Sequence, residues 1–69
     1  MKLIINCKDI HTKRLVKEHI EYNFDNEVSS IINKIIVCGN VTELNRIEDK
    51  IYTVADMWKD IKVNSIEMI

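Results

Sequence analysis

The sequence predicts an α+β fold: a two-layer sandwich, βαββαβ, with two helices on one face of a mostly antiparallel sheet. Three observations predict it. From Val41 to Trp58, apolar residues recur at helical spacing and build one complete stripe. From Met1 to Cys7 the period is two, as in a strand. From Val28 to Val41 a run rich in β-branched residues is interrupted by Asn33-Lys34, the pattern of paired strands around a tight turn.

In the first strand, Leu3, Ile5 and Cys7 share one face and Lys2, Ile4 and Asn6 the other. Lys8-Asp9 ends it, and Asp9 is placed to cap the helix that follows. That helix is predicted from Ile10 to about Phe24. Val16, Ile20 and Phe24 recur every four residues, with Leu15 and His19 beside them. Lys13, Arg14, Lys17, Glu18 and Glu21 stay in water, and Lys17 with Glu21 adds a helical pair worth about 0.3 kcal/mol. Turn-forming side chains from Asn23 to Asn26 break the helix.

Strands of about 28–32 and 35–39 then flank Asn33-Lys34 as a two-residue hairpin turn. Ile35 to Cys38 lacks polar alternation, as expected for a strand covered on both faces or at the sheet centre. Gly39, the only glycine, supplies a bulge, a positive φ or a close approach of the helix. Thr42 or Asn40 caps the second helix, and Asn40 with Glu43 has capping-box spacing. Its stripe is Leu44, Ile47, Ile51, Val54, Ala55 and Trp58, and Lys59-Asp60 closes it.

The last strand is predicted over 61–69. Ile61 and Val63 alternate with Lys62 and Asn64, and then Ile66 and Met68 are apolar on the opposite parity. A bulge near Asn64-Ser65 reconciles the halves, and so does a second apolar surface buried against a partner. The order of elements suits a split βαβ, or ferredoxin-like, sandwich.

At 69 residues the chain is one domain, near the lower limit for a core without staples. A net charge of −1 rules out a strong field toward nucleic acid or anionic membrane. The apolar start is too short for a signal peptide, and Asp9 follows at once. No stretch is long enough to cross a bilayer, so the expectation is a cytoplasmic protein. There Cys7 and Cys38 are reduced, partly buried thiols rather than a disulfide framework. Heavy use of Ile, Asn and Lys suggests an AT-rich genome, bacterial or phage.

From about Asp9 to Ile69 the pattern resembles a BON domain. The matching pieces are Asn33-Lys34, the run from Ile35 through Gly39 to Thr42, the helix with Ile51 and Ala55, and Ile61 to Ile66. Lys34 stands where the family's turn has glycine, and the Met1–Cys7 strand lies outside the family pattern. The resemblance implies a non-catalytic binding module for a small ligand or phospholipid headgroup.

The candidate chemistry is thin. His11, His19, Cys7 and Cys38 show no metal-ligand spacing, so no metal or cofactor is expected. Glu48-Asp49 and Asp56-Asp60 lie on the solvent face of the second helix, where nothing raises a carboxyl pKa for acid–base work. No catalytic residue is therefore assigned, and an enzyme is the least supported class. Lys8, Lys13, Arg14 and Lys17 form a small basic patch able to meet an anion, without the interleaved aromatics of a nucleic-acid site. Tyr22, Tyr52 and Met57 fall off the apolar stripes. The expected function is a small interaction module acting through a protein partner, itself included as a homodimer. Its interface would use Ile66, Met68, Ile69, Tyr52 and Met57. Binding of the BON kind at a ligand or membrane surface is the alternative, and a nucleic-acid-binding regulator the second.

Overall fold

The computed structural model describes all 69 residues. The elements are β1 (Lys2–Cys7), α1 (Ile10–Asn23), β2 (Val28–Ile31), β3 (Lys34–Cys38), α2 (Val41–Met57) and β4 (Val63–Met68). The four strands form one sheet in the order β2-β3-β1-β4, with every neighbouring pair antiparallel. Both helices pack on one face of it. This is the α+β two-layer sandwich of the split βαβ kind.

β1 sits at the centre because both of its edges are paired, to β3 and to β4. Leu3, Ile5 and Cys7 point into the core, together with Ile35 and Val37 of β3. Val16 and Ile20 of α1, Leu44, Ile47 and Ile51 of α2, and Ile61 complete it. Ile36 faces Ile4 across the β1–β3 ladder on the other side of the sheet, which no helix covers, and both are half-buried. The apolar run of β3 thus belongs to an inner strand with one covered face.

The caps hold the helices where they start. Asp9 accepts a hydrogen bond from the Thr12 backbone N–H at 2.7 Å. Asn40, not Thr42, caps α2, in a reciprocal box with Glu43. Gly39 serves close approach, since a Cβ there would stand 2.5 Å from Asn26 Nδ2 and 3.0 Å from Glu43 Oε1.

The phase slip of the last strand is a bulge. Ser65 pairs with Asn6 and Val63 with Cys7, so Asn64 is the extra residue. Opposed residues of a ladder share a face. Ile66 lies opposite Ile5 and Met68 opposite Leu3, so both join Val63 on the helix side and pack against the core.

Three boundaries differ from the expectation. The hairpin turn is Ile32-Asn33 rather than Asn33-Lys34, because Ile31 pairs with Lys34, and Ile32 takes a positive φ of 54°. α2 ends at Met57, and Trp58 leaves the stripe as its C-cap, 58% exposed. Ile61 is buried in the connection ahead of β4 rather than in the strand. What fixes that connection is Thr12. Its hydroxyl donates to the Asp60 carbonyl at 3.3 Å and accepts from the Lys62 N–H at 3.1 Å.

Candidate functional site

The helices run in opposite senses, so α1 begins beside the loop that leaves α2, where Thr12 meets Asp60. Their stripes point down at the sheet, and the seam between them is left as an open groove of about 860 Å³. Leu15, His19 and Tyr22 of α1 form one wall. Helical spacing puts them on the flank of α1 beside its buried Thr12, Val16 and Ile20. Val54, Met57 and Trp58 form the other wall, and Ile61 closes one end.

Leu15 and Val54 are half-buried and make an apolar floor against the core. The rim is large and uncovered: Tyr22 is 90% exposed, Met57 72% and Trp58 58%. Charges border it on both sides, Glu18 and Glu21 on α1 and Lys50 on α2. His19 stands among them with its Nε2 buried and unpartnered. Burial, with the Lys50 charge nearby, lowers its proton affinity and so favours the neutral ring.

The predicted interface residues are divided by the fold. Met57 joins the groove rim with Tyr22 and Trp58. Tyr52 is exposed on α2 and Ile69 follows β4, away from the groove lining. Ile66 and Met68 are committed to the helix side of the sheet, so the bulge removes the reason for a partner surface built on them. A smaller hollow of about 350 Å³ lies at the hairpin tip beside Asn33 and Asn64.

The basic candidates do not meet the groove. By helical spacing Lys13 and Lys17 lie on the flank of α1 opposite Leu15 and Tyr22. Both are half-buried, and Lys8 and Arg14 are exposed. No group of three His, Cys, Asp or Glu side chains is placed to hold a metal ion. Cys7 is buried, and that burial, with Asp9 nearby, pushes its thiol pKa up, away from a reactive thiolate. Cys38 lies opposite Lys2, at the far end of β1 from Cys7, so the two thiols cannot bridge. No helix is long and apolar enough to cross a membrane.

Tyr22 and Met57 were visible in the sequence as residues off the stripes, but Trp58 was not, because its spacing continues the stripe of α2. The signal that it leaves is Lys59-Asp60, a turn that stops the helix one residue before the register is used. No protein-family model, curated protein or solved structure matches the chain.

Proposed function

We propose that this chain is a small non-enzymatic interaction module that binds a protein partner, copies of itself included, in the groove between α1 and α2. One observation carries the reading: Tyr22, Met57 and Trp58 converge, uncovered, above an apolar floor. Exposed large apolar residues scattered singly need no explanation, but a contiguous set beside a groove marks a binding surface. Tyr, Trp and Met are the residue types enriched at the cores of protein interfaces.

Peptides selected from a random display library on the native chain test this. Selected binders are expected to shift the backbone amide resonances of α1 and α2 and to lose at least tenfold in affinity on Met57→Glu. Binders that ignore Met57→Glu and map to the uncovered sheet face overturn the reading. A second reading keeps the groove and changes its occupant to a small ligand or phospholipid headgroup, as the BON resemblance implies. Its support is the volume of about 860 Å³, inside the range of roughly 300–1,000 Å³ for such sites. It predicts saturable binding of one anilinonaphthalene sulfonate per chain with no peptide selected.

A further inference from the structure

We infer that the occupant of the interhelical groove is a second copy of this chain, docked groove to groove about a two-fold axis that runs along the helices. The inference rests on the groove being a protein-binding surface and adds which protein fills it. The argument is one of charge and symmetry. The two walls carry opposite signs: Glu18 and Glu21 on α1, Lys50 on α2. A two-fold interface brings one patch against itself, so it closes only if that patch is self-complementary.

An axis along the groove lays α1 of one copy over α2 of the other and preserves level along the seam. Lys50 lines the same groove as Glu18, His19 and Glu21, and its charge reaches the His19 ring, so it stands at their level along the seam. In the pair, Lys50 therefore faces the partner's Glu18 and the partner's Glu21, and the contact is made twice. The same operation covers Trp58 and Met57 with α1 of the other copy.

Size and net charge agree. A stable interface takes about 800 Å² from each partner, roughly a sixth of the 4666 Å² that this chain exposes. The chain measures 29 × 24 × 20 Å, so one of its broad faces is of that order. With a net charge of −1, two copies approach without strong repulsion. A strongly basic or acidic partner would be opposed by one of the two walls.

Light scattering on a size-exclusion column, over a concentration series of the full chain, reads the result. The expected mass rises from 8.1 kDa to twice that value, and the emission of Trp58, the only tryptophan, shifts to the blue in step. Lys50→Glu sets acid against acid and is expected to weaken the dimer at least tenfold. Adding Glu18→Lys and Glu21→Lys to it restores the opposite signs and is expected to restore the dimer. All three positions lie at the groove mouth, and unchanged melting by circular dichroism checks that each variant is folded. A chain that stays at 8.1 kDa up to roughly 1 mM overturns the inference. So does a dimer that ignores both Lys50→Glu and Met57→Glu, since it would use another face. If the chain is monomeric while display peptides still bind the groove, only the identity of the occupant fails. If neither binds, the groove reading fails with it.

Discussion

Ile32 holds the positive φ of 54° that a two-residue hairpin turn demands, and it is the only non-glycine residue in the chain to do so. A β-branched side chain in that region is strained by about 1–2 kcal/mol. Ile32 is 79% exposed, so burial returns little of this. Ile32→Gly is expected to raise stability by about 1 kcal/mol in urea unfolding, the relief of strain less the entropy of glycine. Thr12 is the converse case, a polar side chain with no exposure whose hydroxyl is fully used. Thr12→Val keeps the volume but strands the Lys62 N–H and the Asp60 carbonyl. It should cost about 1–3 kcal/mol and loosen the segment that carries Ile61. The thiols should divide in the same manner: in the native chain a maleimide is expected to label half-buried Cys38 and to reach buried Cys7 only after unfolding.

Each helix is an element whose ends are fixed locally and whose face is fixed by the sheet. At the start of α2, Asn40 and Glu43 satisfy each other's backbone N–H groups, and Gly39 leaves room for Asn26 Nδ2 to reach the Cys38 carbonyl at 2.9 Å. Gly39→Ala pushes a methyl into both arrangements and should cost about 1–2 kcal/mol, read as a lower melting temperature with the fold retained. Along its middle, Ile51 is enclosed between helix and sheet. Ile51→Asp places an unpaired charge in the core and is expected to abolish cooperative unfolding. Val54, one turn on, opens onto the groove instead, so Val54→Asp should fold and lose groove binding.

At the scale of the whole molecule, charge and burial set the working range of pH. His19 has its pKa lowered from 6.5 by burial and by Lys50. The unfolded chain therefore binds a proton that the native chain refuses, and this stability is present above pH 6.5 and lost as pH falls below it. Asp9, held down chiefly by the hydrogen bond from the Thr12 backbone N–H, adds a second loss as pH falls below 3.8. Cys7, pushed up from 9.0, works in the other direction: its contribution is present below pH 9.0 and lost as pH rises beyond. The melting temperature should thus be highest between 6.5 and 9.0. His19→Asn should flatten the decline that begins at 6.5, as measured by thermal scans in matched ionic strength.

Local pattern was enough for the six elements, for most of the residues that face inward and for the Asp9 cap, and it narrowed the second cap to Asn40 or Thr42. These are local matters: a period of two or 3.6 decides which side chains share a face, and a short acceptor before an apolar run satisfies free amides. It also exposed the parity change in β4, which either a bulge or a second apolar surface against a partner could absorb. Tertiary structure alone decided that the bulge sufficed, so Ile66 and Met68 turned to the core instead of to a partner. It alone decided that Thr12 is buried, since the two backbone groups that its hydroxyl bonds lie 48 and 50 residues away in sequence. The groove belongs to the same class. Leu15, Tyr22, Met57 and Trp58 come from two helices, and periodicity assigns each residue to a face of its own helix only. Where two faces meet is set by how the helices lie across the sheet, a long-range packing outcome that no short stretch of chain encodes.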